Sequence, residues 1–330
     1  MAGLGVALAA AVEPDAGRAA DAAAKYGIPV FSSVGELLAG GSKLDAAIVA
    51  VPTVYHHEVA SALLQAGLDL LVEKPLAASL AEADDLLRSA HIGGRILQPG
   101  HLERFNPAVL AVEPHLRRPM FFEAHRLSVF TPRSLDVDVV LDLMIHDLDI
   151  VLTFAKSPVR EVRAVGLPIL SPKVDIANVR VEFESGCVAN FTASRVSTER
   201  VRKLRYFEPR RYISIDYARR DVLVIRLDGT VSPEMTAAIA AGKLDPSVLA
   251  QLAAGGQPNP GLSFVKPEVT PGEPLRLEIE SFLDSVRARR EPRVTARQGR
   301  NALALALEIQ ASMAAHAERA GLKDFFKAGA

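Results

Sequence analysis

Residues 46–75 read AAIVAVPTVYHHEVASALLQAGLDLLVEKP, and this stretch decides the fold class. An apolar run over 46–51 is typical of a buried strand, and residues 56–66 have a helical pattern that a glycine ends. A second apolar run over 69–72 leads into a charged pair. A strand, a helix and another strand in such close succession predict a βαβ unit and therefore a parallel sheet.

The same alternation continues on both sides of this unit. Further strands and helices are predicted at residues 5–12, 16–26, 30–31, 34–39, 79–90 and 95–98. Together they predict a doubly wound parallel sheet, the Rossmann architecture, as a first domain over residues 1–102. Such a sheet normally begins with a strand and a glycine-rich phosphate-binding turn. Gly3-Leu4-Gly5 is not that turn, because no strand precedes it and no helix follows it.

The pattern changes after residue 103. Short, partly alternating runs predict a mainly antiparallel sheet, with strands at 121–130, 159–165, 177–182, 187–194, 201–207, 211–215 and 222–226. One inserted helix is predicted at about 138–154, a long surface excursion at 243–273, and closing helices at 274–289 and 296–318. The predicted fold class is therefore α/β, with an α+β second domain over residues 103–330 that carries a large open sheet.

Composition limits the possible partners. The chain of 330 residues has a formal net charge of −1, so nothing indicates attraction to nucleic acid or to a membrane. No apolar run is long enough to span a bilayer. Cys187 is the only cysteine, which excludes an internal disulfide and favours a reducing, cytoplasmic location. An open sheet needs a cover, so we expect a homodimer or a homotetramer.

Lys74 is the first candidate for chemistry. Pro75 disfavours the helical conformation for the residue before it, so the Lys74 backbone is expected to be extended. The ammonium is then held at the carboxyl end of a strand, the edge where open α/β sheets bind ligands. The alternative is an ordinary solvated charge pair of Glu73 and Lys74 at a strand end.

The inserted helix supplies the second candidate group. Its polar residues recur every three or four positions, on one face of a helix, at Asp138, Asp142, His146, Asp149 and Thr153. The remaining positions are nearly all apolar, so the helix is expected to be buried. Its polar stripe is then expected to face a solvent-filled cleft or polar partner groups. A capped surface helix with ordinary solvated acids is the alternative.

Together these residues suit hydride transfer at an alcohol carbon. His146 could take the hydroxyl proton, Lys74 could stabilise negative charge developing on the oxygen, and Asp142 could orient the imidazole. A nicotinamide cofactor would carry the hydride. A metal site is the competing interpretation, but no motif supports one among the candidate ligands His56, His57, His101, His125 and His146.

Several motifs resemble those of the glucose–fructose oxidoreductase/inositol dehydrogenase (Gfo/Idh/MocA) family. They are Val51-Pro52-Thr53-Val54-Tyr55-His56, Gly67, Val72-Glu73-Lys74-Pro75, Gly100-His101 and the pair Asp142 and His146. The resemblance covers nearly the whole chain from about residue 6. It implies a Rossmann domain, a second domain with a large open sheet, NAD(P) and a sugar or cyclitol substrate. It also implies that Lys74, Asp142 and His146 are the catalytic set.

The resemblance also implies cofactor contacts. Glu13 ends the second strand of the Rossmann sheet, where an acidic residue binds the adenosine ribose and favours NAD. Arg18 follows in the next helix, so NADP is not excluded. Pro52, Thr53 and His56 match the loop under the nicotinamide half, with Glu73 and Lys74 next to its ribose. Pro52 and His56 could instead only shape that loop.

The segment Gly100-His101-Leu102-Glu103-Arg104-Phe105-Asn106-Pro107 resembles the branch that acts on nucleotide-linked amino sugars, such as UDP-N-acetylglucosamine 3-dehydrogenases. Those enzymes oxidise the 3-hydroxyl of the sugar ahead of transamination, which leads to amide-linked lipid A. The resemblance implies substrate contacts by His101, Arg104 and Asn106, although Arg104 could equally form a domain-joining ion pair. A related enzyme that oxidises the corresponding uronic acid is not distinguished by these residues.

The absent phosphate-binding turn departs from the family pattern. We expect an N-terminal truncation, with roughly 30 further residues upstream that include a G-x-G-x-x-G turn. Two alternatives to a nucleotide-sugar dehydrogenase stay open at this point. One is a non-catalytic or impaired binding protein of the same fold, and the other is a family dehydrogenase for a free sugar or inositol.

Overall fold

The computed structural model describes residues 4–41, 43–131, 137–227 and 262–322. The chain forms two compact units. Unit 1 comprises Met1–His101 and Leu275–Leu303, and unit 2 comprises Leu102–Pro274 and Ala304–Ala330. The sequence-based division at residues 102 and 103 lies at nearly the same place, but it assigned every later residue to the second domain.

Long-range ion pairs explain why the later segment groups with unit 1. The guanidinium of Arg289 donates to Asp69 Oδ2 at 2.5 Å, although the two residues are far apart in the chain. Arg300 donates two hydrogen bonds to the carboxylate of Asp84, at 2.9 and 3.0 Å. Such pairings depend on the folded chain and have no periodic signature in the sequence.

The described part of unit 1 has short strands that all pair in parallel. They are β1 (Ala11–Val12), β2 (Val30–Phe31), β3 (Ala46–Val49), β4 (Asp69–Glu73) and β5 (Leu97–Gly100). β1 pairs with β2, while β3, β4 and β5 form a separate sheet in that order. The strand predicted over residues 5–12 is confined to β1, because β2 offers only Val30 and Phe31 as partners.

Helices connect these strands, as the alternating pattern predicts. They are α1 (Ala16–Tyr26), α2 (Val34–Ala39), α3 (His56–Gln65) and α4 (Leu80–Gly93), with a 3-10 turn at Thr53–Tyr55. The side chains of Asp15, Ser33 and Ser79 cap the first turns of α1, α2 and α4. Gly27 and Gly94 end α1 and α4 in the left-handed conformation, which a glycine adopts without strain.

Unit 2 is built on a sheet of eight described strands. They are β6 (Phe121–Leu127), β7 (Val159–Leu167), β8 (Ile176–Phe183), β9 (Val188–Ser194), β10 (Val201–Glu208), β11 (Arg211–Asp216), β12 (Asp221–Leu227) and β13 (Leu262–Val265). Their order is β13-β12-β11-β10-β6-β9-β8-β7, and every neighbouring pair is antiparallel except β6 with β9. The predicted fold class, a parallel Rossmann-type sheet plus a large and mainly antiparallel sheet, is confirmed.

One face of the large sheet forms the core of unit 2. Alternate residues along its strands are buried, among them Phe122 and Ala124 on β6, and Leu204 and Tyr206 on β10. The helix α5 (Pro107–Val112) contacts β11 and β12, and the turn Val140–Met144 contacts β9. Period-two alternation is the expected result when only one face of a sheet is covered by helices.

The inserted helix differs from its prediction. A continuous helix was predicted over 138–154, but the structure has a π-helical turn at Val140–Met144 followed by α6 (Ile145–Ala155). The side chain of Asp138 accepts the backbone N–H groups of Val140 and Leu141 at 2.9 and 3.0 Å, which caps this turn. A π-helical turn contains an extra residue, and its hydrogen bonds are absent from any sequence pattern.

Three further elements complete the comparison with the sequence. β13 lies within the surface excursion predicted at 243–273, so that prediction is wrong for Leu262–Val265, and residues 243–261 lie outside the described part. The closing helices are α7 (Pro274–Ala288) and α8 (Ala296–Arg319), close to their predicted bounds. Within the described ranges, no helix is long and apolar enough to cross a membrane.

Candidate active site

In unit 1, predicted cofactor-binding and substrate-binding residues follow the carboxyl ends of three adjacent parallel strands. Pro52 and Thr53 follow β3, Lys74 follows β4, and His101 follows β5. In the register of the sheet, Glu73 at the end of β4 pairs with Gly100 at the end of β5. The carboxyl ends of parallel strands form one edge of a sheet, and this edge binds ligands in open α/β folds.

His56 links two of these strand ends. Its ring is buried, with Nδ1 2.8 Å from the carbonyl oxygen of Pro75 and Nε2 2.9 Å from that of Val51. The imidazole therefore connects the loop after β3 to the turn that carries Lys74. This arrangement supports the expectation that His56 shapes the loop, while a direct contact with the cofactor stays a prediction.

Gly100 makes room for the carboxylate of Glu73. A Cβ atom built on Gly100 would lie 3.1 Å from Glu73 Cα and 3.1 Å from its Oε2. Both distances are tighter than ordinary van der Waals contact, so a side chain at position 100 would displace Glu73. The close approach of the two strand ends thus depends on a glycine next to the predicted ribose-binding carboxylate.

Glu13 stands just after β1, at the position predicted to bind the adenosine ribose. Its Oε1 accepts hydrogen bonds from Arg18 Nη2 and from the backbone N–H of Asp15, both at 2.9 Å. The hydrogen bond from Arg18 and that from Asp15 lower the pKa of the Glu13 carboxyl. Glu13 is therefore an anion that a neighbouring arginine already contacts, which fits a hydrogen-bond acceptor for ribose hydroxyls.

In unit 2, the polar stripe of the inserted helix separates into groups with different surroundings. Asp138 caps the π-helical turn and accepts a hydrogen bond from Gln310. Asp149 is buried, with its Oδ1 3.6 Å from Arg104 Nη1. Asp142, in the π-helical turn, and His146, in the first turn of α6, are partly exposed, whereas most of the residues between and after them are buried. Of the polar residues on this helix face, Asp142 and His146 are therefore the best placed to contact a small molecule.

A buried charge network includes Asp147, the residue after His146, and sequence reasoning did not identify it. Arg126 on β6 donates to both oxygens of Asp147 at 2.7 and 3.0 Å and to Glu103 Oε1 at 3.0 Å. Burial would lower the pKa of Arg126, but the charges of Asp147 and Glu103 outweigh it and raise that pKa. The ring of Tyr217 lies 5.2 Å from the guanidinium carbon. The sequence feature that could have revealed this network is Arg126 itself, a charged residue at a core-facing position of the strand predicted over 121–130.

Two predicted substrate contacts have protein partners in unit 2. Arg104 is buried, pairs with Asp149 and donates to the hydroxyl of Thr153. The ion pair with Asp149 lies within unit 2, so it does not join two domains. Asn106 Nδ2 donates to Glu103 and to the carbonyl of Tyr217 at 3.0 and 3.1 Å. Substrate contact by His101, Arg104 and Asn106 stays a prediction.

No group of three or more His, Cys, Asp or Glu side chains in the described ranges is arranged to hold a metal ion.

Two family models match the chain. Residues 2–101 match a model described as an oxidoreductase family with an NAD-binding Rossmann fold, and residues 108–210 match the GFO/IDH/MocA C-terminal domain.

Dehydrogenases are among the curated proteins and solved structures that are similar to this chain. The UDP-N-acetylglucosamine 3-dehydrogenase of Acidithiobacillus ferrooxidans is 34% identical over 314 residues, which cover 94% of this chain and 91% of the relative. A crystal structure of that enzyme superposes with a TM-score of 0.79 at 33% identity, covering 92% of this chain and 89% of the other. An inositol 2-dehydrogenase of Leifsonia xyli is 34% identical over 165 residues, 48% of each protein.

Proposed function

Because this chain belongs to the GFO/IDH/MocA oxidoreductase family, we propose that it oxidises a sugar hydroxyl with NAD, namely the 3-hydroxyl of UDP-N-acetylglucosamine. The family predicted from the motifs, the class of dehydrogenase and the cofactor NAD are confirmed by the matches to known proteins. The nucleotide sugar, the use of NADP, the role in lipid A synthesis and the cytoplasmic location belong to the proposal.

One observation carries the choice of substrate. The similarity to a UDP-N-acetylglucosamine 3-dehydrogenase extends over 94% of this chain and 91% of that enzyme. The similarity to an inositol 2-dehydrogenase has the same identity but covers 48% of each protein. Similarity that extends over nearly the whole of both proteins supports a nucleotide sugar over inositol, for which only about half of each protein aligns.

The proposed catalytic set is Lys74, Asp142 and His146. His146 takes the proton of the hydroxyl, and its partial exposure gives this proton a route to solvent. Lys74 places a positive charge where the oxygen becomes negative, and Asp142 orients the imidazole. When bound, NAD supplies the hydride acceptor. The buried pair of Arg126 and Asp147 holds the backbone next to His146 in place.

Cofactor binding is assigned to residues at the strand ends of unit 1. Glu13 binds the hydroxyls of the adenosine ribose. Arg18, which contacts Glu13, could bind a 2′-phosphate at the same place, so NADP is also compatible with this site. Pro52, Thr53, His56, Glu73 and Lys74 form the edge for the nicotinamide half. This edge fits the group because the donors and acceptors follow adjacent strand ends and Gly100 leaves space beside Glu73.

Self-association through the second domain is also part of the proposal. On the face of the large sheet opposite the one that the described helices cover, the half-buried rings of Phe121, Phe207 and Tyr212 form a row with centroid distances of 5.4 and 5.2 Å. An aromatic row on an open sheet favours packing against a second copy of the chain. A homodimer or a homotetramer stays the prediction.

The test incubates the full chain with NAD+ and UDP-N-acetylglucosamine and measures the formation of NADH. Replacing His146 with alanine should lower kcat by about a hundredfold to ten-thousandfold while cofactor binding, measured by nicotinamide fluorescence, stays nearly unchanged. His91→Ala is the matched control, because His91 is an exposed helical histidine of α4. Turnover of inositol without turnover of this sugar would reject the substrate, and NADH binding without any turnover would favour a non-catalytic binding protein.

A further inference from the structure

A basic pocket lies at the start of β10, beside the turn between β11 and β12. Its volume is about 160 Å³, and its charged lining residues are Glu199, Arg200, Arg202, Lys203, Asp216 and Arg219. Four basic residues and two acidic residues therefore line this pocket. All of these residues belong to unit 2. The pocket has an excess of positive charge, although the chain as a whole carries a formal net charge of −1.

One of the two carboxylates is already used by the protein itself. Asp216 Oδ1 accepts the backbone N–H groups of Ala218 and Arg219, at 3.1 and 2.9 Å. Its Oδ2 lies 3.8 Å from Lys203 Nζ and 3.9 Å from Arg219 Nε. Asp216 thus holds the turn and compensates these two cations in part. It is not directed at the remaining arginines.

Among the lining cations, Arg200 and Arg202 have no compensating carboxylate within the described part of the chain. Both are exposed, and their side chains have no hydrogen bond or ion pair with any residue in 4–41, 43–131, 137–227 or 262–322. A guanidinium has five N–H donors in a planar fork that matches the oxygens of a phosphate. Two such groups at one pocket suit a ligand with more than one negative charge.

The position of Arg202 relates the pocket to the catalytic helix. In the register of the sheet, Arg202 on β10 is directly opposite Arg126 on β6, so the two side chains leave the same face about 5 Å apart at Cβ. Arg126 binds Asp147, the residue after His146. Whereas Arg126 is compensated by two buried carboxylates, Arg202 beside it is not. An anion bound at Arg202 would therefore lie on the face of the sheet that carries His146.

We propose that this basic pocket binds the diphosphate of a nucleotide-linked substrate, with Arg200 and Arg202 as its principal ligands. This inference rests on the proposed function for the substrate class and adds the residues that recognise the charged half. The sugar would then be selected by its attached diphosphate as well as by its ring. The cofactor's own phosphates are assigned to the Rossmann domain and do not need these arginines.

The experiment measures binding of UDP to the full chain by titration calorimetry, without cofactor or turnover. Arg202→Ala and Arg200→Ala should each raise the Kd for UDP about tenfold to a hundredfold, because each removes charge-assisted hydrogen bonds to phosphate. Inorganic pyrophosphate should compete with UDP. The matched control is Arg163→Ala, which removes an exposed arginine from β7 at the far edge of the sheet and should leave the Kd unchanged.

The outcomes separate this inference from the proposed function. Absence of UDP binding to the unchanged protein, or equal affinity in the Arg200→Ala and Arg202→Ala variants, overturns the inference even when UDP-N-acetylglucosamine is oxidised. UDP binding that both variants weaken supports it even when that sugar is not a substrate. In the enzyme assay, the Arg200→Ala/Arg202→Ala variant should show a raised KM for the nucleotide sugar with the KM for NAD+ unchanged, and an unchanged sugar KM also overturns it.

Discussion

Arg126 and Asp147 form a two-point ion pair in the interior of unit 2, with Nε 2.7 Å from Oδ2 and Nη2 3.0 Å from Oδ1. Both side chains are buried. Asp147 directly follows His146 at the start of α6. The strand β6 is thereby fastened to the turn that presents the proposed catalytic base, so stability and catalysis are expected to depend on the same pair.

Removing one partner of this pair should be strongly destabilising. Asp147→Ala leaves the guanidinium of Arg126 buried and only partly compensated, so the free energy of unfolding should fall by about 3–5 kcal/mol in urea denaturation. Arg205→Ala is the control, because the pair of Arg205 and Glu123 is partly exposed and should contribute at most about 1 kcal/mol. Equal losses in the two variants would contradict a special role for the buried pair.

The link made by His56 can be tested in the same way. His56→Ala removes the ring that lies within hydrogen-bond distance of the carbonyl oxygens of Val51 and Pro75. The carbonyl to which the ring N–H donates is then left unsatisfied, which is destabilising by about 1–3 kcal/mol. We expect a loss of stability together with weaker NADH binding, because the loop after β3 and the turn after β4 are no longer held together.

The neighbouring residue supplies the control for His56. His57 pairs with Asp85 at 2.9 Å at a partly exposed position, so His57→Ala should have little effect on either quantity. Unchanged NADH affinity in His56→Ala, measured on folded protein, would show that the link does not position the cofactor edge.

Gly100→Ala should disturb the proposed cofactor site locally. The added methyl group lies 3.1 Å from Glu73 Cα, and such overpacking is destabilising by about 1–3 kcal/mol. The displaced carboxylate should also raise the Kd for NADH. In Gly35→Ala the nearest atom is 3.8 Å from the new Cβ, and this change within α2 should leave NADH binding unchanged and stabilise slightly. Indistinguishable NADH affinities for the two variants would refute the role of Gly100.

Asp175 should make the stability of unit 2 depend on pH in acid. Its burial would raise its pKa, but hydrogen bonds from Ser171, Arg195 and the backbone of Ile169 and Leu170 lower that pKa well below the ordinary value. A depressed carboxyl pKa in the folded state means that the stabilisation is complete above the unfolded value of about 4 and is lost as pH falls below it.

Thermal unfolding of the Asp175→Asn variant tests this predicted loss of stability in acid. The difference in Tm from the unchanged protein should be large and constant from about pH 5 to neutral and should shrink progressively below about pH 4. Asp21→Asn, an exposed change on α1, should show no such trend. A difference between the unchanged protein and Asp175→Asn that is independent of pH down to strongly acidic conditions would mean that the carboxylate charge is not what stabilises the loop.

The sequence by itself determined those features that depend on local backbone preferences. The alternation of apolar runs with capped helical segments predicted the parallel strands and the two closing helices, and period-two patterns predicted seven strands of the large sheet. The Glu73-Lys74-Pro75 turn identified a strand end suited to chemistry. The motifs in that turn, with Asp142 and His146, identified the family before any fold was known.

Only the tertiary structure decided the features that depend on residues far apart in the chain. It placed a π-helical turn before His146, paired Arg126 with Asp147, joined His56 to two loops, and set Arg202 beside Arg126. Each of these relationships results from side chains or backbone groups that meet through folding. Their energies are set by burial and by the charges nearby, and a linear pattern of residue types contains neither.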